Sequence, residues 1–486
     1  MAIWHGRSST PASLSLCNSP DKQLLKTAGL NSRDTVAKPH YKTEFPSKQS
    51  PHKTMKEFTS RLDCLERRAF MERCARLALG VTVLPAFGAA KEQGAEPQTS
   101  APQVKPSGFG SAKHIIFLQL RGGMSHIDTF DPKEGKSKGP KGALSTKAGF
   151  QISAFLPNTA KVAQEICVIR SMTAKVGVHE AASYLMRTGY DPRGTIKHPM
   201  LGAWAQHYLG TSHASIPSSV CINGNADSGN GFFPATYTPL AILDPSEGLQ
   251  HAQNREGIGR VESRLDISRE VDRAFLEKYP DSNVGAYNAF YDATVRLMKS
   301  SDLKAFDLSS EPQAVKASYG ESDFGKGCLL ARRLLQAGVR FIEVKSGGWD
   351  MHNNLEEGME EGPGAEFDKA YAALILDLKS KGLLESTLVV VATEFGRKPE
   401  FSGSGRGHYP KVFSTVLAGA GIRRGYVHEG SDALGAEPVG QGVTVGNFHA
   451  TIGWAAGLPL DQPAVAPNGR PFSVGNRAQP VAAVFA

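Results

Sequence analysis

The chain has 486 residues, 40% hydrophobic and 21% charged, with a formal net charge of +8. That length and balance describe a folded chain of one large or two ordinary domains and exclude a wholly disordered one. Residues 1–54 carry eight Lys/Arg against three Asp/Glu and residues 55–90 six against four, which leaves +1 after Ala90; so neutral a body gives no electrostatic case for binding nucleic acid.

Residues 1–54 are rich in Ser, Thr, Pro and Lys and are expected to be disordered. Residues 55–90 hold Arg67-Arg68, then Ala69-Phe70-Met71, a mildly apolar run from Leu77 to Phe87, and the small residues Gly88-Ala89-Ala90. Charge, apolar run and small residues in that order resemble a bacterial twin-arginine export signal. It implies passage through the twin-arginine machinery in a folded state, to the periplasm or outside the cell. Export signals begin near the initiator, so Met55 is a candidate start. The apolar run is too short for a permanent membrane span, and no other segment is long and apolar enough for one. Cys167, Cys221 and Cys328 follow the leader with no CxxC spacing or disulfide framework, and buried free thiols are expected. Residues 91–110 are a Pro/Gly/Gln-rich linker.

The body, 111–486, begins with His114 to Leu120, a continuous apolar run that predicts a buried parallel strand. It ends in a glycine turn holding Ser125, His126, Asp128 and Asp131. Asn158 to Glu165 predicts a helix, Ile166 to Ile169 a short strand, and His179 to Arg187 a helix closed by Gly189. The charged, helix-periodic stretch 255–337 reads as a helical insertion or face of the same domain. Further strands are expected at Val339–Val344, Leu388–Val391 and Val412–Leu417, with an amphipathic helix over Asp368–Lys381. Strands alternating with helices predict an α/β fold, a doubly wound, mainly parallel sheet sandwiched by helices.

Two segments sit where open α/β sheets keep their ligand sites, just past buried strands: Gly347-Gly348-Trp349-Asp350-Met351-His352 and Thr393-Glu394-Phe395-Gly396-Arg397. Asp350 and His352 are two apart and face one side on an extended backbone. His408 follows the glycine-rich loop Ser402 to Gly407. Asp, His, Glu and His converging there suit a divalent cation with mixed nitrogen and oxygen ligands: zinc, calcium, magnesium or manganese. Each residue also has a plainer use, as a capping acid, a surface histidine or part of a flexible turn. Arg397 can hold an oxyanion or a neighbouring carboxylate. Ser125, beside His126, can be a nucleophile or satisfy a tight turn. His179 can be a ligand, a general base, a nucleophile or a helix cap.

From His114 onward the chain resembles the bacterial family "domain of unknown function 1501", itself similar to the alkaline phosphatase and sulfatase superfamily. The resemblance is carried by Gly122 to Lys133, Gly347 to His352, Thr393 to Arg397, Gly405 to His408 and Asn468 to Pro471. More weakly, Leu156 to Ala163, Leu185 to Gly189 and His449 to Leu458 resemble the wider superfamily. It implies an alkaline phosphatase-like sandwich, metal ligands at Asp350, His352, Glu394, His408 and Asp128, and ester substrates. Three departures stand out. No Cys-x-Pro-x-Arg motif exists, which excludes formylglycine sulfatase chemistry, and His179 occupies the place of the nucleophile. Leu120-Arg121 replaces the paired acids that end the first strand. Glu394-Phe395 replaces an acid–histidine pair.

The expected function is therefore an exported, metal-dependent hydrolase of phosphate or sulfate esters, on a small-molecule or glycan substrate. His179, Ser125 and Arg397 are its candidate catalytic groups, and direct attack by water is expected in place of a covalent step. The alternative is a non-catalytic exported binding protein on the same fold, recognising an anionic carbohydrate or a cell-surface partner.

Overall fold

Runs of Val, Ile and Leu that can bury both faces supply the central strands. A computed structural model describes residues 107–226, 229–249, 257–278 and 282–486. The stretches read from the sequence as a disordered extension and a twin-arginine export signal, and most of that read as a linker, lie outside the described residues. Nine strands form one sheet: β1 (His114–Leu120), β2 (Ile166–Thr173), β3 (Ser219–Ile222), β4 (Leu240–Ile242), β5 (Phe341–Ser346), β6 (Thr387–Thr393), β7 (Phe413–Ala418), β8 (Tyr426–His428) and β9 (Val443–Thr444). Their order is β8-β2-β7-β6-β1-β5-β3-β4, with β9 also paired to β2. Pairings are parallel except those of β7, which runs antiparallel to β2 and β6. The expected mainly parallel sheet is the one observed.

Among the described residues seven longer helices accompany it: α1 (His179–Thr188), α2 (Leu201–Leu209), α3 (Ile258–Lys278), α4 (Ser282–Lys299), α5 (Asp323–Gln336), α6 (Pro363–Ser380) and α7 (Val445–Ala455). Successive strand residues face opposite sides, and the core divides accordingly. Ile116, Leu118 and Leu120 pack with α5 and α6, through Leu330, Leu334, Phe367 and Leu374. Ile115 and Phe117 pack with α1, α2 and α7, through Met186, Leu201 and Phe448. Helices on both faces make the sandwich doubly wound.

Local chemistry sets several boundaries. Gly189, at φ +79, closes α1 as the sequence predicts. A Thr444–Asn447 capping box opens α7. The segment 255–337 divides: α3 and α4 pack on each other, whereas α5 is largely buried against the sheet and is a layer of the sandwich. Cys167, Cys221 and Cys328 are free and buried. Among the described residues no helix is long and apolar enough to cross a membrane.

Leu118 is fully buried in the central strand, so Leu118→Ala is expected to cost about 2–5 kcal/mol in urea unfolding. Leu376 is 54% exposed on α6, and Leu376→Ala should change stability by no more than about 0.5 kcal/mol.

Candidate metal centre

Parallel register brings the ends of β1, β5 and β6 together, with Leu120 opposite both Ser346 and Thr393. The three chains then turn out of the sheet beside one another. Trp349 anchors the turn after β5: it is buried, its Nε1 donates to Ser346 Oγ at 3.0 Å, and its amide donates to the Arg121 carbonyl. The turn after β1 passes so close that a Cβ on Gly122, at φ +121, would lie 2.3 Å from the Asp350 nitrogen. Beyond β6, Gly396–Arg397 pairs antiparallel with His408–Tyr409, which sets His408 opposite Arg397. The glycine loop between them hugs the Asp350 segment, with a Cβ on Gly405 falling 2.3 Å from the Met351 carbonyl oxygen.

Arg397 ties these segments together. It is 1% exposed and makes five hydrogen bonds. Nε donates to the Gly123 carbonyl at 2.7 Å and Nη1 to the Arg406 carbonyl at 2.9 Å, while Nη2 reaches the carbonyls of Gly122 and Trp349 and Asp350 Oδ1 at 2.5 Å. Of its two sequence readings, the carboxylate holder is the one the geometry contains; the guanidinium is committed to backbone and to Asp350. Burial raises the Asp350 carboxyl, but the hydrogen bond and charge of Arg397, aided by His408 and His179, outweigh it and hold the group at about 2.

Two imidazoles face that carboxylate, each fixed from behind. His179, the first residue of α1, donates from Nδ1 to Glu394 Oε1 at 2.5 Å. His408 donates from Nδ1 to the Gly177 carbonyl at 2.9 Å. In a neutral ring each arrangement leaves a lone pair on Nε2. His179 Nε2 lies 3.2 Å from Asp350 Oδ2 and His408 Nε2 lies 3.2 Å from Asp350 Oδ1. The His179 contact lacks hydrogen-bond geometry, and that shielded nitrogen has no hydrogen-bond partner among the described residues. Lone pairs aimed at a carboxylate repel it unless a cation or proton lies between. The ligand atoms of His179, Asp350 and His408 all fall within 4.8 Å of one another, a spacing a divalent cation can bridge.

The other sequence candidates fall into place around this group. His352 stands beside it, with Nε2 2.9 Å from His408 Nε2 and 3.1 Å from Asp350 Oδ1. Desolvation lowers the His352 imidazole below the ordinary histidine value, against the pull of Asp350 and with Arg397 adding to it. Glu394, expected as a ligand, sits behind His179, where Oε1 also accepts from the Gly122 amide at 2.9 Å. Asp128, expected as a further ligand, is fully buried and paired with Arg406, Nε to Oδ2 at 2.7 Å. The Ser125 hydroxyl donates to the same Asp128 carboxylate, so it holds the turn closed. The sequence reading missed two contributors. One is the Gly177 carbonyl, for which a lone glycine gives no signal. The other is Phe395, read only as a lost ligand, whose ring centroid lies 5.1 Å from that of His179 and 4.6 Å from that of His408.

Removing Arg397 strands several buried carbonyls, and Arg397→Met is expected to cost about 3 kcal/mol or more. Arg397→Lys should recover little of it, since one ammonium cannot span those acceptors; chemical denaturation checks both. Asp350 titrates lower in the folded chain than its ordinary 3.8. Its stabilising contribution is thus present above that value and is lost as pH falls toward about 2. Asp350→Asn should flatten the fall in melting temperature between those two pH values.

Solved structures similar to this chain include the lipoteichoic acid synthase LtaP from Listeria monocytogenes, at 11% identity over 74% of this chain and 76% of that one, TM-score 0.37. The PsFucS1 sulfatase from Pseudoalteromonas sp. gives 13% identity, 73% and 70% coverage and a TM-score of 0.35. The alkaline phosphatase from the Antarctic bacterium TAB5 gives 14% identity, 64% and 92% coverage and a TM-score of 0.30. No curated protein matches the chain. The family described as "Protein of unknown function (DUF1501)" matches residues 112–485, nearly the whole of the described body, and the chain belongs to that family.

Proposed function

We propose that this protein is an exported, metal-dependent hydrolase of phosphate or sulfate esters, with His179, Asp350 and His408 as its metal ligands and His352 alongside. The observation that carries the reading is the pair of imidazoles whose Nδ1 atoms are taken by Glu394 and Gly177, so that both Nε2 atoms converge on one carboxylate. A divalent cation there would supply Lewis acidity toward an ester oxygen and ease deprotonation of a water.

The chain's own groups do the rest. Arg397 keeps Asp350 ionised and aimed at the imidazoles. Glu394 and the Gly177 carbonyl fix the two rings, and Phe395 walls their inner side. Ser125 is spent on Asp128, which supports direct attack by water over a covalent serine step. The ester class rests on the sequence resemblance, and export rests on Arg67-Arg68 with the apolar run behind it.

A second reading, a non-catalytic binding protein, is favoured by one observation. Ser125 and Arg397, the candidates for nucleophile and oxyanion holder, are both bound up in structural hydrogen bonds.

Elemental mass spectrometry on the untagged full-length chain separates the readings. Near-stoichiometric zinc, calcium, magnesium or manganese is expected, lost in Asp350→Ala. Glu394→Gln should weaken metal affinity roughly 10–100-fold by releasing the His179 ring. No metal in the parent, and none rebound on dialysis against these ions, would sink the hydrolase. Metal retained without turnover of phosphate or sulfate monoesters would favour the binding protein.

A further inference from the structure

A cavity of about 320 Å³ lies between α4, the edge strand β4 and the loop leading into β3. None of the candidate metal ligands lines it. Its volume falls at the lower end of the ~300–1,000 Å³ usual for small-molecule sites. Ile216, Leu240, Leu249 and Leu297 give it an apolar interior, with Ile216 and Leu297 themselves buried.

Two groups on its walls can only donate, beside hydroxyls and the Gln206 amide that do both. His213 accepts at Nδ1 from the amides of Ser215 and Ile216, both at 3.2 Å, which leaves Nε2 as the donor of the neutral ring. Arg296, exposed on α4, adds a guanidinium. Ser219, 2% exposed, has an Oγ without a hydrogen-bond partner among the described residues. No carboxylate lines the cavity among those residues; Asp302 lies behind the loop, accepting from Ser215 and Ser300, with Oδ2 3.8 Å from His213 Nδ1.

An apolar chamber with a cation, an imidazole donor and an unsatisfied buried hydroxyl has a defined complement. We propose that this cavity binds a small amphipathic carboxylate: an aliphatic or aromatic body seated against Ile216, Leu240 and Leu297, with its carboxylate at Arg296 and His213. Burial of the body supplies affinity, and the charged pair supplies selection for the acid over the corresponding alcohol. The site is separate from the metal centre and stands or falls independently of it.

Octanoate and 1-octanol are the probes, titrated calorimetrically into the full-length chain. Octanoate should bind saturably, one per chain, and about tenfold or more tighter than octanol. Arg296→Ala should erase that preference and leave octanol unchanged. Ala293→Trp, from an exposed wall position, should abolish binding of both, and Met298→Trp is the second filling variant should the first fail to fold. Asp350→Ala should bind octanoate as the parent does. Absence of octanoate binding in the parent, binding that survives both tryptophans in folded protein, or an unchanged preference in Arg296→Ala would each overturn the proposal.

Discussion

The guanidinium of Arg397 is the tie on which the site depends. Three chain segments leave the sheet side by side with carbonyls that no strand can satisfy, and a buried carbonyl without a donor costs about 1–3 kcal/mol. Arg397 answers four of them and keeps one reach for Asp350. A lysine offers a point charge where a planar fork is needed. The same contacts that hold the loops together thus also aim the carboxylate and keep it ionised.

Around that carboxylate the competing effects can be ranked. Desolvation alone would raise Asp350 and favour its neutral form, yet Arg397 outweighs it. Desolvation also lowers the His352 imidazole, against the pull of Asp350. Nδ1 of His179 faces a carboxylate and Nδ1 of His408 a carbonyl, both acceptors that demand a proton on that nitrogen. In neutral rings the Nε2 atoms are left as acceptors: His179 Nε2 has no hydrogen-bond partner among the described residues, and His408 Nε2 lies within reach of His352 Nε2 and Asp350 Oδ1. Such an arrangement is balanced by a positive charge at the centre, and the oxygen and nitrogen donors suit a divalent metal.

Much of the frame was legible in the sequence because parallel strands buried on both faces read as unbroken apolar runs. β1, β5, β6 and β7 were found that way, within a few residues of their ends. β3 and β4 were missed, being only four and three residues long with no alternation to reveal them. For 255–337 the sequence leaves open a helical insertion or a face of the same domain, and α5 is the part that packs as a face, with Cys328, Leu329, Leu330 and Leu334 in the core. At the site, Asp350 and His352 draw attention by their place after a strand and His408 by the glycine-rich loop before it, and the fold sets the three side by side. The hydrogen bond from Glu394 to His179 cannot be read locally, because the two lie 215 residues apart in sequence. Asp128 looked like a free acid for the same reason: Arg406, which neutralises it, is 278 residues distant.

Two fixed imidazoles and one carboxylate converge as a candidate site for a single cation. Anomalous diffraction from crystals of the zinc-loaded full-length chain tests it most directly. One anomalous peak is expected, bonded to Nε2 of His179, Nε2 of His408 and the carboxylate of Asp350, with Glu394 still hydrogen-bonded to His179 Nδ1. A peak elsewhere, or none in crystals grown with excess zinc, would contradict it.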